Sequence, residues 1–156
     1  MTTPPQFPTE QPQGTPANLA PWGTRAIGLL IDFLPAFILQ AVFYPIGGLR
    51  YLASVAVFLY GYLYLGYFDG LTGQTPGKAI MGTRVVNVQG ELIGTGNGIA
   101  RKFAHILDSI VCLIGWFLPL FDAKRQTIAD KVLNTYVVEG VEKKAFSVDL
   151  WMPPKT

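Results

Sequence analysis

The chain has 156 residues, of which 50% are hydrophobic and 13% aromatic, and only 14% are charged, against about 25% in an ordinary soluble domain. A net charge of +2, with no basic helix and no aromatic RNA-binding strand, argues against a nucleic-acid partner. Cys112 is the single cysteine, which excludes an intramolecular disulfide and a cysteine metal cluster, and its apolar neighbours predict a buried, inert thiol.

Residues 1–21 lack the basic and apolar regions of a secretory signal. Proline at positions 4, 5, 8, 12, 16 and 21 fixes backbone φ and removes donors, so this stretch reads as a disordered, partly polyproline tail. From Ala26 to Ile46 the chain is apolar except for Asp32 and Gln40, a length that matches the roughly 20 residues needed to cross a bilayer. Residues 49–68 form a second such run, with tyrosines toward its far end as in an interfacial belt. Pro45, Gly47 and Gly48 between them predict a tight turn, hence an antiparallel transmembrane hairpin.

The third apolar segment, Ser109 to Phe121, holds thirteen residues with Gly115 and Pro119 inside, short for a full span. If it crosses, the basic residues divide five against seven; if it dips in and returns, eleven face Arg50 alone. The second division obeys the positive-inside rule, so two spans plus a re-entrant segment with both termini cytoplasmic is the favoured topology. Residues 84–93 read as a hairpin turning near Gln89-Gly90, and 135–141 as a further strand that pairs with it on the same membrane face. The expected class is therefore an all-α membrane protein with a third re-entrant or spanning helical segment and a small cytoplasmic β element.

The glycine-rich loop 70–84 invites a phosphate-binding reading, which its spacing refuses. Gly73 lies one residue too near Gly77-Lys78, and Ala79 stands where a magnesium-binding hydroxyl belongs. A structural account fits better: Thr75 caps a short helix, Pro76 takes its first position, and Lys78 snorkels to lipid phosphates, with Pro76 to Gly82 along the cytoplasmic surface. His105 is the single histidine, four residues after Arg101 and three before Asp108, on one helix face. A hydrogen bond from His105 to Asp108 is favoured over a proton relay. No hydrolytic constellation, metal site or cofactor is expected.

Arg25 precedes Asp32 by seven residues, and Arg101 precedes Asp108 by the same interval. Two helical turns separate each pair by about 10.5 Å, too far for a direct salt bridge, so the partners come from other segments. A charge inside a span costs roughly 2.5–3.5 kcal/mol at the centre, which calls for pairing or function. Two arrangements stay open: a buried arginine–aspartate network that fixes helix register, which is favoured, or two aspartates close enough to share a proton or cation.

The arginine-led first helix with Asp32, the TPGK stretch running to Arg84, then Arg101 with Asp108, then residues 122–138 with Arg125 and Asp130, together resemble the RDD family. These are bacterial membrane proteins named for an arginine and two aspartates, and the likeness covers residues 22–138. Arg25, Asp32 and either Asp108 or Asp130 match the naming residues. Asn134 departs from the family's usual glycine, and asparagine tolerates the left-handed cap conformation needed there. The proline-rich leader is similar to the actinobacterial, proline-rich antigen-like branch. The resemblance implies an RDD membrane domain over 22–140, a C-terminal tail over 141–156, and a multi-pass position in the plasma membrane. Its implied activity divides two ways. The favoured expectation is a non-catalytic accessory subunit whose partners are the bilayer and other membrane subunits or itself, a respiratory complex being one candidate. The alternative is a cation/proton antiporter built on Asp32 and Asp108, acting as an oligomer.

Overall fold

The computed structural model describes residues 16–111 and 113–154. The Cys112 thiol and most of the proline-rich leader lie outside the described residues. Helix α1 (Trp22–Phe43) begins straight after extended Pro21 and contains Pro35, whose ring removes one main-chain donor from the helix. A turn closed by Ile46 N–H on Phe43 and Leu49 N–H on Ile46 follows. The return helix Leu49–Leu71 is continuous but changes pitch on the way: α2 (Leu49–Leu59), a π-helical turn at Tyr60–Tyr64, then α3 (Leu65–Leu71). Both long helices are long and apolar enough to cross a membrane.

These helices are inverted relative to those of a soluble protein, which turn their apolar stripe inward. In α1 the buried residues are Gly28, Asp32 and Ala36, while Leu30, Phe37 and Val42 are more than half exposed. Helix α5 (Thr95–Ile110) repeats the pattern, burying Gly98, Arg101, Lys102 and Asp108 and exposing Leu107 and Ile110. On α1 and α5, small and charged residues therefore face the inside and large apolar ones the outside. Behind α5, α6 (Ile114–Phe117) and a 3-10 turn at Leu118–Leu120 bend away by 108°. The bent pair is either a broken span or a re-entrant element, giving two or three spanning-length segments. Indole stacking holds the bend: Trp22 on Phe117 with centroids 5.4 Å apart, His105 on Trp116 at 4.8 Å, and Trp22 Nε1 donating to the Trp116 carbonyl at 2.8 Å.

Short α4 (Pro76–Met81) starts as its sequence predicts, with the Thr75 hydroxyl accepting from Lys78 N–H and Pro76 at the first position. Its location is different from the expected one. Instead of lying along the surface, it is pressed against α1, where a methyl group on Gly77 would overlap the Gly28 carbonyl. A second close crossing joins α3 to α5, since a methyl group on Gly98 would strike the backbone of Gly66 and Gly70. Small residues allow such backbone approach between membrane helices.

Strand β1 (Thr83–Asn87) pairs antiparallel with β2 (Thr135–Glu139), Val85 facing Val137. The expected hairpin over 84–93 forms its turn but not its second strand. Val85 N–H already goes to the Gly73 carbonyl, and the Asn87 side chain accepts from Gln89 and Glu91 N–H, so the chain curls and runs directly into α5. The free edge of β2 is covered by the end of the leader, with Ala20 N–H on Val137 at 2.8 Å and Glu139 N–H on Asn18 at 2.9 Å. Residues 18–20 thus join the sheet that the proline pattern had assigned to a tail. α7 (Ile128–Val132) precedes β2, and Asn134 between them takes the left-handed conformation with φ 51°. Residues 141–151 fold back, Lys144 N–H bonding the Ala79 carbonyl and Trp151 Nε1 the Tyr60 hydroxyl at 2.9 Å.

Gly98→Ala is expected to lower stability by about 1–3 kcal/mol through forced separation of α3 and α5. Gly48→Ala, with nothing within 4 Å of the added methyl, should leave it unchanged. Thermal unfolding in a mild detergent compares the two.

Candidate functional site

The buried charges come from α1, α3, α4, α5 and α7. Asp130 is the point where three of these elements meet. It sits in the first turn of α7, held by a reciprocal capping box with Thr127, and is fully buried. One carboxylate oxygen accepts from Arg101 Nε at 2.9 Å and from a second Arg101 nitrogen; the other accepts from Arg25 Nη2 at 2.5 Å. Arg25 also donates to the Arg125 carbonyl at 2.5 Å, and Arg125 in turn donates to the Leu19 carbonyl at 2.6 Å.

Arg101 continues the chain of charges to Asp69, near the end of α3, at 3.2 Å. Asp69 also meets Lys78 at 2.6 Å and Lys102 at 3.1 Å, so a single buried carboxylate is ringed by three cations. Lys78 therefore points inward to an acid, and not outward to lipid phosphates as its sequence context suggested. A flexible ammonium with a buried carboxylate in reach gains more from that pairing than from solvated phosphate.

Asp32 and Asp108 have different surroundings. Asp32 accepts from the Thr75 hydroxyl at 2.5 Å and from Gly77 N–H at 2.7 Å, and no ion pair reaches it among the described residues. Tyr60 donates to its main-chain carbonyl at 2.7 Å. Asp108 meets His105 Nδ1 at 2.6 Å, as the three-residue spacing suggested, and its second oxygen accepts from Ile128 N–H at 2.8 Å. Gly115 makes room for it, because a methyl group there would overlap Asp108. The two aspartates that share a sequence spacing thus have no partner in common. Arg84 lies on β1 opposite Val138, outside the cluster. Among the described residues no group of three histidine, cysteine or acidic side chains is placed to hold a metal ion.

Residues 19–134 match the model of the RDD family. The chain belongs to that family. Among curated proteins it is 30% identical over 152 residues to the "Proline-rich antigen homolog" of Mycobacterium tuberculosis, covering 78% of this chain and 63% of that one. It is 40% identical over 86 residues to the "Proline-rich antigen" of Mycobacterium leprae, covering 54% of this chain and 33% of the relative. It is also 34% identical over 110 residues to "Uncharacterized protein YxaI" of Bacillus subtilis, covering 70% and 62%. The chain spans less than two thirds of the length of these relatives, and none of the descriptions gives a sign of catalysis. No solved structure matches it. The RDD region contains every member of the buried charge cluster. Asp69 and Lys102 are the members that sequence spacing missed. An acid after an aromatic pair at a helix end reads as a boundary, and only the later lysine of the TPGK stretch hints at its counter-charge.

Burial pushes the Asp130 carboxyl up, but Arg101 and Arg25 outweigh it and hold the group well below the usual carboxylate range. Removing one member of a buried pair leaves the others uncompensated. Asp130→Asn is therefore expected to lower stability by about 3–5 kcal/mol. Asp122→Asn, at the half-exposed Lys131 pair, should change it by no more than about 1 kcal/mol. Denaturation of both variants in detergent checks the contrast.

Burial brings the Lys78 ammonium down to about 8, with Asp69 opposing only part of that fall. Because the folded value lies below the ordinary 10.5, the unfolded chain binds the proton more tightly between the two. Lys78 then contributes stability that rises from about pH 8 to about pH 10.5. Lys78→Met should remove this rise, read as the difference in melting temperature between the two proteins across that interval.

Proposed function

We propose that this RDD protein is a non-catalytic accessory subunit of a larger membrane complex. It would reside in the bacterial plasma membrane with both termini cytoplasmic and residues 95–120 re-entering instead of crossing. The observation that carries the reading is the use of the buried carboxylates. Asp69 and Asp130 are neutralised by arginine and lysine, and Asp108 is held by His105 and a main-chain N–H. Such a network fastens helices to one another and to the sheet. The large apolar side chains it pushes outward on α1, α2 and α5 suit lipid and neighbouring subunits. Support for re-entry comes from Arg25 at the start of α1. It bonds Arg125 and Asp130, so the chain beyond α6 is back at the end from which α1 sets out.

A cation/proton antiporter remains the second reading on one specific observation. Among the described residues no ion pair reaches Asp32, which is held by the Thr75 hydroxyl and Gly77 N–H and lines a cavity of about 740 Å³. Against it, Asp32 and Asp108 share no partner through which a joint site would form.

Purification from native membranes in a mild detergent separates the two. A stoichiometric complex, together with no cation-driven proton flux from the isolated chain in proteoliposomes, is the expected result. Flux abolished by Asp32→Asn in a folded protein would replace the subunit reading by transport. In a Cys112→Ser background, a cysteine at Lys144 should react only with cytoplasmic-side reagent; external labelling would sink the re-entrant topology.

A further inference from the structure

We infer that the cavity bounded by α1, α4 and α5 is a binding site for an anionic membrane amphiphile, its head on Lys78 and Lys102 and one acyl chain along α1. The cavity has a volume of about 740 Å³, within the range of roughly 300–1,000 Å³ typical of sites for one small molecule. Its two ends differ in chemistry. At the polar end Arg25, Lys78, Arg101 and Lys102 line it, whereas Asp32 is the one carboxylate of the cluster that does so. Asp69 and Asp130 sit behind these cations, so the face turned to the cavity carries an excess of positive charge.

Donor capacity points the same way. An ammonium has three donor hydrogens. Among the described residues the side chains of Lys78 and Lys102 share one acidic partner, Asp69, which Arg101 also uses. The Lys102 side chain is only 9% exposed, so its remaining donors face the protein interior and the cavity it lines. A carboxylate or phosphate head supplies the acceptors and the charge that such buried ammonium groups favour.

Beyond Asp32 the lining turns apolar along α1 with Phe33 and Phe37, and Leu30, Leu113 and Phe117 add further apolar wall, Phe117 stacked on Trp22 at the start of α1. Phe37 lies five residues beyond Asp32, about 7.5 Å further along the helix axis. Leu30, Phe37 and Leu113 are each more than half exposed. The mouth therefore opens sideways toward hydrocarbon, and an acyl chain reaches the cationic floor without its head crossing to the far side. This inference is independent of whether the protein is a subunit or a transporter.

The test uses the full chain in a neutral detergent, with native mass spectrometry and thermal unfolding as readouts. Oleate is compared with oleyl alcohol, and dioleoyl phosphatidylglycerol with dioleoyl phosphatidylcholine. One molecule of an anionic member, bound with a rise in melting temperature that its neutral counterpart does not give, is the expected result. Which of the two anions does so identifies the source as a free fatty acid or a phospholipid. Lys102→Gln should weaken that binding about tenfold. Leu30→Trp, at an exposed position that need not disturb folding, should block the mouth and do the same with the charge cluster intact. Equal binding of charged and neutral members, no binding of either anion, or full affinity in a folded Leu30→Trp protein would overturn the proposal.

Discussion

The guanidinium of Arg101 is almost wholly buried in an apolar protein, and it keeps its charge there by spanning two carboxylates from distant parts of the chain. Asp69 lies near the end of the second long helix and Asp130 in the first turn of a five-residue helix next to the sheet. Neither acid alone satisfies the planar fork of donors, and an unpaired charge at this depth is expensive. α5 can therefore be seated only when both segments are in place. Arg25 on Asp130 extends the same condition to α1, so the short α7, too small to be stable by itself, is pinned between two longer helices.

Around this chain of charges the usual logic of a core is reversed. Glycines at the α1–α4 and α3–α5 crossings bring backbones together, and polar groups fill the layer between them. The large apolar side chains of α1, α2 and α5 go outward, where hydrocarbon replaces the interior of a soluble domain as their solvent. In such a setting hydrophobic burial supplies little discrimination between arrangements, because the outside is as apolar as any inside. Steric fit at glycine and charge pairing supply it instead. The same arrangement leaves cations facing the cavity and most of their carboxylates behind them, which gives the cavity a sign.

Much of this was legible residue by residue. The left-handed Asn134 follows from the family resemblance, and the two long apolar runs, the turn at Pro45 to Gly48, the Thr75 cap with Pro76 and the His105–Asp108 bond each follow from a local rule. So did the deduction that Arg25 and Arg101 must find acids outside their own helices. The choice of acids was not legible. Equal seven-residue spacings made Asp32 and Asp108 look like one device, yet Asp32 is held by α4 and Asp108 by the start of α7. Asp69 looked like the edge of a span. Lys78, beside an apolar stretch, looked like a lipid anchor until the folding of α4 onto α1 placed an acid within its reach.

The sequence by itself determined the RDD membership, the membrane-spanning lengths, the helix start at Thr75-Pro76, and the presence of buried charge that had to be neutralised. These depend on composition and on neighbours a few residues apart. Only the tertiary structure decided which charge neutralises which, that α4 is buried instead of superficial, and that the leader, not a second hairpin strand, joins the expected pairing of β1 with β2. Those outcomes depend on contacts between different elements, at separations from 9 residues for Lys78 and Asp69 to 105 for Arg25 and Asp130. Coulomb attraction and backbone contact act on distance in space, and spacing along the chain carries no record of it.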